Sequence, residues 1–277
     1  MNSVFWSDYT TEELRDIIRA EDPVVIVPIA ATEQHGPHLA VNTDTDIGLN
    51  VARIAAESCP GRALVLPPVW AGVSPHHMHF SGTITLKQST LFAVICDIAE
   101  SLIHHGVRRI VLLNSHGGNI ALVKTAGDEI AIRHGVYPVC VTYWHLIADV
   151  VNGIRRSELG GMAHACELET SLKLVFSPQD VRTDRMRDVM IEGDEFYNVD
   201  MFAPNKIGVY RPFDYWSETG QIGAPTLASR ETGEKLVEAL REKFRRLFEA
   251  CWTEHRGENR HGLGRGGATS AGGGSEA

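Results

Sequence analysis

Six consecutive apolar residues, Val24-Val25-Ile26-Val27-Pro28-Ile29, constrain this chain more than any other feature. A strand without polar alternation has no face to offer water, so it belongs inside a parallel sheet covered on both sides. Ala63–Leu66, Arg109–Asn114 and Tyr137–Tyr143 read as further strands. Between them Asp46–Ser58, Ser89–His105 and Ile120–His134 read as helices, with Ser89 as an N-cap and Gly106 as a C-terminal stop. Strands alternating with helices imply βαβ units, hence a single layered α/β/α domain with a mainly parallel sheet. Leu146–Met162 reads as a flap or loop, Leu168–Phe176 as a short helix and Ser229–His255 as a long amphipathic one. The domain is expected over residues 1–256, followed by a disordered Gly/Ser-rich tail at 257–277.

Composition narrows the function. The net charge of −9 lacks the basic footprint that nucleic acid or an anionic membrane would need. No run of eighteen apolar residues predicts a membrane span, and the N-terminus lacks the basic start and apolar centre of a secretory signal. Five cysteines, an odd number without a Cys-x-x-Cys pair, suit reduced thiols in a cytoplasmic protein. Thirteen histidines are the unusual item, because several cluster with acids.

In open parallel sheets ligands collect outside the carboxyl ends of the strands. The loop after the first strand carries Glu33, His35 and, at the start of the next helix, Asp44; the loop after the third carries Asn114-Ser115-His116-Gly117-Gly118-Asn119. Glu33 and His35 share one side of an extended loop, and the glycines beside His116 allow close backbone approach. Carboxylates and imidazoles converging from separate loops suit a borderline divalent metal such as Zn²⁺ or Mn²⁺, and an Asp can bridge two ions. Taken singly, Asp44 also fits a helix N-cap and His116 a satisfied loop histidine.

The segments Thr32-Glu33-Gln34-His35-Gly36-Pro37-His38-Leu39 and Asn42-Thr43-Asp44 resemble motifs of the creatininase (creatinine amidohydrolase) family. So do Gly72–Leu86, Asn114–Asn119, His164–Ser171 and Gly220–Ala228, in the family's order over roughly residues 20 to 245. This resemblance implies a layered α/β fold, a dinuclear metal centre at the carboxyl edge of the sheet, and a homohexamer. Carried over by position, Glu33 and His116 would bind one metal, His35 the other, and Asp44 would bridge them. The family's remaining ligand is a Glu in creatininase itself at the position of Gly118, so the carboxylate is expected from Glu169, with Glu167 as the alternative. His164 matches the catalytic histidine that would protonate a leaving nitrogen. Ser115, Gly117, Gly118 and His77 are the expected substrate contacts.

Gly160 and Ala163 stand where creatininase carries a flap tryptophan and an acidic residue, which disfavours creatinine as substrate. The resemblance therefore implies a hydrolase using two divalent ions (Zn²⁺, Mn²⁺ or Fe²⁺) on a non-peptide carbon–nitrogen bond of a small molecule, a cyclic amide or formamide. Other activities on the same centre are ring opening of an oxidised inositol and peptide trimming in cofactor maturation. A non-catalytic metal-binding scaffold is the rival outside enzymology.

Overall fold

Strand β1 (Val24–Ile29) is buried at every position and runs through the interior of a four-stranded, all-parallel sheet. The computed structural model describes residues 3–59 and 61–253. Helix α1 (Thr11–Glu21) precedes β1, and α2 (Thr43–Glu57), β2 (Ala63–Val65) and α3 (Gln88–His104) follow it. Next come β3 (Arg109–Asn114), α4 (Ile120–His134), β4 (Val139–Thr142) and the short α5 (Tyr143–Leu146). The chain finishes with β5 (Met162–His164), α6 (Glu167–Phe176), β6 (Ile222–Gly223) and α7 (Arg230–Phe248). Sheet order is β2-β1-β3-β4, with β5 and β6 forming a separate antiparallel pair.

The apolar run explains the layers. Val24 and Ile26 pack with Val111 and Leu113 into one core, against Ile47 and Val51 of α2, Leu172 of α6 and Leu236 of α7. Val25, Val27 and Ile29 point the other way, with Ile110 and Leu112, onto Ile95 of α3 and Val123 of α4. Alternate residues of one strand thus feed two cores, as a sheet covered on both faces requires.

Several boundaries move. Helix α2 begins at Thr43 rather than Asp46, so Asp44 lies inside its first turn, where the helix dipole favours acids. The expected Ser89 cap is not used: α3 starts at Gln88 after Lys87, with no side-chain cap. Ser229 does cap α7, accepting from the Thr232 N–H, and the regular helix stops at Phe248 before a π-helical turn at Glu249–Thr253. The unanticipated α1 carries a capping box, Thr10 with Glu13, that was legible as Thr-x-x-Glu. The expected tail at 257–277 lies outside the described residues. Among the described residues no helix is long and apolar enough to cross a membrane.

Candidate metal centre

The carboxyl end of the sheet gathers acids and imidazoles from three elements. β1 leads into Glu33 and His35, the first turn of α2 supplies Asp44, and β3 leads into His116. From the far side β5 ends at His164, and the first turn of α6 supplies Glu169. Between them Ala165 takes a left-handed φ of 49°, which costs a non-glycine residue about 1 kcal/mol. That bend turns the chain from β5 into α6 and keeps both side chains on one side.

All six groups are buried and converge. Nε2 of His35 lies 3.2 Å from Asp44 Oδ1 and 3.8 Å from Glu169 Oε1. Nδ1 of His116 lies 3.2 Å from both Glu33 Oε2 and Asp44 Oδ2. Nδ1 of His164 faces Glu33 Oε1 at 3.8 Å. Asp44 therefore meets His35 and His116 with its two different oxygens.

The outer nitrogens are spoken for. His35 Nδ1 donates to the Glu33 carbonyl (3.2 Å) and His116 Nε2 to the Val73 carbonyl (3.0 Å). His164 Nε2 donates to the Gln34 carbonyl at 2.8 Å. Tethering one ring nitrogen to a carbonyl leaves the other bare toward the centre, the arrangement metal-ligating histidines use to fix tautomer and ring angle. Ser74 adds an outer contact, donating to Glu33 Oε2 at 2.6 Å. Gln34 anchors the remaining imidazoles: its Oε1 accepts from the Gly36 N–H, so its Nε2 donates to the Gly220 carbonyl (3.0 Å) and His77 Nδ1 (2.8 Å). His77 is left to donate from Nε2 to Glu33 Oε1 at 3.2 Å.

Two atoms inside this cluster, His35 Nε2 and Asp44 Oδ2, are buried with no hydrogen-bond partner. An orphaned buried nitrogen and carboxylate oxygen are expensive unless something else binds them. Glu33, His35 and Asp44 present ligand atoms close enough to share one ion, as do His35, His164 and Glu169. Electrostatics agree. Burial would lower the basicity of His116, yet Glu33 and Asp44 beside it push its pKa up to about 10. His35 is raised in the same way: burial opposes, and Asp44 and Glu169 prevail. Burial would raise the Glu33 carboxyl, but His116 and His77 hold it well below the usual range. Without a cation the site collects protons in its place, so the donor set fits a divalent metal.

His164 differs. Burial, then the neighbouring His35 and His77, lowers its pKa well below the ordinary value. It stays neutral, with Nδ1 bare.

Glu167 is placed elsewhere: its two oxygens accept from the backbone N–H groups of Arg156 and Ser157 at 2.7 and 2.8 Å. It pins the 151–161 segment, while Glu169 joins the cluster. Gly118 has no room for a side chain, since a Cβ there would lie 2.2 Å from the Val73 carbonyl. Gly117, Gly118 and His77 line a cavity of about 500 Å³ over the cluster. Ser115 does not line it; its hydroxyl donates to the Asp44 carbonyl at 2.8 Å, beneath the centre. Tyr197, Asp200 and Phe213 form much of the cover. Nothing in the motifs pointed to these three; the structural roles of Gln34 and Ser74 were legible only as polar residues inside a motif.

A family model described as creatinine amidohydrolase matches residues 7–248. The chain is 30% identical over 266 residues to a creatinine amidohydrolase of Pseudomonas putida, covering 87% of this chain and 98% of that protein. It is 32% identical over 228 residues to a mycofactocin precursor peptide peptidase of Mycobacterium tuberculosis (79% of this chain, 81% of that protein). A 3-dehydro-scyllo-inosose hydrolase of Thermotoga maritima is 26% identical over 271 residues, 88% of this chain and 82% of that one. Among solved structures, a mutant creatininase of Zn-Zn type superposes with a TM-score of 0.76 at 28% identity, over 90% of this chain and 98% of its own.

Proposed function

The chain belongs to the creatininase family of hydrolases, and on that premise we propose that it hydrolyses a carbon–nitrogen bond, of a cyclic amide or formamide, at a dinuclear metal centre. The observation that carries the reading is the pair of orphaned atoms, His35 Nε2 and Asp44 Oδ2, inside a buried set of three carboxylates and tethered imidazoles. Glu33, His116 and one oxygen of Asp44 would hold one ion; His35, Glu169 and the other oxygen of Asp44 would hold the second. Two divalent ions (Zn²⁺, Mn²⁺ or Fe²⁺), when bound, supply Lewis acidity and a water acidic enough to attack near neutral pH.

The chain's own residues do the rest. His164 is neutral with Nδ1 bare, so it accepts a proton there as water attacks and hands it to the departing nitrogen. The Gln34 carbonyl holds the opposite ring nitrogen throughout. Gly117 and Gly118 let the substrate approach the backbone, and His77 presents its ring to the cavity. The Phe213 ring packs 4.1 Å from that of His77 and 4.7 Å from that of His164, keeping water off the proton-transfer path. Cytoplasmic residence and assembly into homohexamers belong to the same reading, supported by the family resemblance.

A peptide-trimming reaction is the second reading. It is favoured by a further cavity of about 340 Å³ that shares His76, Gly117, Gly118 and Phe213 with the first, giving space beyond one small ring. Elemental analysis of protein purified without chelator tests the centre: close to two ions per chain in wild type, falling to about one in Glu169→Ala. Turnover of formamides and cyclic amides against short peptides by the loaded enzyme then separates the readings. Wild-type protein that takes up no metal on reconstitution would remove both and favour the scaffold.

A further inference from the structure

The cavity over the cluster is lined by four carboxylates, Glu33, Asp44, Glu169 and Asp200, and by no lysine or arginine. The adjoining cavity has a different character. Tyr197, Tyr210, Phe213 and Trp216 contribute its aromatic wall, and Arg211 is the single arginine or lysine lining either cavity.

Arg211 is uncommitted. Its Nη1 donates to the Tyr210 carbonyl at 3.2 Å, and its guanidinium lies 5.3 Å above the Tyr215 ring. Among the described residues it makes no ion pair, in contrast to Arg155, whose guanidinium is held by Asp200 and the Glu158 carbonyl. A guanidinium stacked on an aromatic face is held in orientation with most of its in-plane donors unspent, the form suited to gripping a carboxylate or phosphate.

Resting on the hydrolase reading above, we infer that Arg211 and the aromatic wall form a subsite for a negatively charged substituent of the substrate, a carboxylate or a phosphate on an aromatic or conjugated group. The bond to be cut would sit over the metal cluster. The anion would extend past Gly117 and Gly118 into the second cavity, where Arg211 is the one lysine or arginine among the lining residues. Creatinine carries no such group, and Gly160 stands at the position that the resemblance matches to creatininase's own flap tryptophan. Substrate selection in this chain thus shifts from covering a small neutral ring to holding a charged tail.

The test uses metal-loaded full-length protein and tryptophan fluorescence, since Trp144 and Trp216 line the cavities. Benzoate, phenyl phosphate and neutral benzamide are titrated as probes. At least one anion is expected to bind about tenfold more tightly than benzamide, as one well-placed charged contact allows. Arg211→Gln should erase that preference and leave benzamide affinity as it was. Raising ionic strength should weaken the anion and not benzamide in wild type, a readout independent of any variant. Equal binding of all three probes, no saturable binding of either anion, or a preference retained in Arg211→Gln (anion captured by the metals) would each overturn the subsite. Benzoate or phenyl phosphate as the winner identifies the anion. Failure of the loaded enzyme to hydrolyse any amide would remove the reaction and leave this binding result standing by itself.

Discussion

The acid–imidazole cluster and its cover, residues 181–221, are built by opposite means. The groups of the cluster sit at the end of β5, in the first turns of α2 and α6, or in the loops that directly follow β1 and β3, and Glu33, His35, His116 and His164 are each held again from behind by a hydrogen bond. The cover has no helix beyond short 3₁₀ turns, at Thr183–Arg185 and Phe213–Tyr215, and holds its shape by scattered backbone bonds, such as Met201 N–H to the Met162 carbonyl, and side-chain bonds, such as Asp194 to the Phe196 and Tyr197 N–H groups. It also exposes large apolar groups, with Tyr210 and Tyr215 each over 60% accessible. A metal centre tolerates little geometric error, so it rests on rigid elements; selection of a substrate can be revised in loops without disturbing it. One fold can thereby serve a creatinine amidohydrolase, a peptide peptidase and an inosose hydrolase.

The sharpest way to break that contrast is Asp44→Ala. If the cluster is the centre, losing the residue that faces both histidines should remove metal and lower turnover by more than about 10⁴-fold, because water without metal keeps its pKa near 15.7. Elemental analysis and a rate assay on the same preparation check it; full turnover from metal-free protein would refute the centre. The cover should respond differently. Arg155 and Asp200 form a buried pair at 2.8 Å, and Asp200 also accepts from the Gly160 and Met162 N–H groups. Arg155→Ala leaves a buried carboxylate without its cation and should cost about 3–5 kcal/mol of stability, read by urea unfolding. Metal per chain in the folded fraction should stay at the wild-type value.

A smaller effect tests whether the rear supports matter. Ser74→Ala removes the 2.6 Å bond to Glu33 while touching no substrate cavity. Partners one step behind a metal ligand are commonly worth 10–100-fold in metal affinity. A loss of about tenfold in a competition titration with a chelator is expected, with unfolding little changed; unaltered affinity would mean that the strand ends alone hold Glu33.

The same contrast governs what could be read without coordinates. Val24–Ile29 disclosed the sheet, since six apolar residues in a row admit few alternatives. Glu33, His35, Asp44, His116, Glu169 and His164 sat in motifs whose order matched a family, and the structure brings all six together. The resemblance points to Glu169 and keeps Glu167 as the alternative, because two residues in a helix's first turn differ by direction, not by chemistry. The bonds of Glu167 to Arg156 and Ser157, and the approach of Glu169 to His35, separate them. The short helix α1 went unread although its Thr10–Glu13 box was present. Phe213, Tyr197 and Arg211 were beyond reach for a plainer reason: a loop with no period carries no register, so nothing local says which side chain turns inward.

The finest test is pH. In the metal-free protein His116 titrates near 10 against an ordinary 6.5, so its folded pKa is raised. A raised pKa contributes stability that is complete below about 6.5 and is lost as pH climbs through about 10. His35, raised by Asp44 and Glu169 against its burial, has the same sign. Glu33 has the opposite sign but titrates only in acid, so it adds no slope here. With metal bound, both imidazoles must be neutral ligands and that slope disappears. Between pH 7 and 8 each displaced proton is worth at most about 1.4 kcal/mol, or roughly 2–4 °C in a chain of this size. Thermal scans of apo and metal-loaded protein should therefore diverge as pH rises, with the apo melting temperature falling faster. Parallel pH profiles would mean that the imidazoles are not the groups the metal displaces protons from, and Arg155→Ala, which loosens the cover at Asp200, should leave the divergence intact.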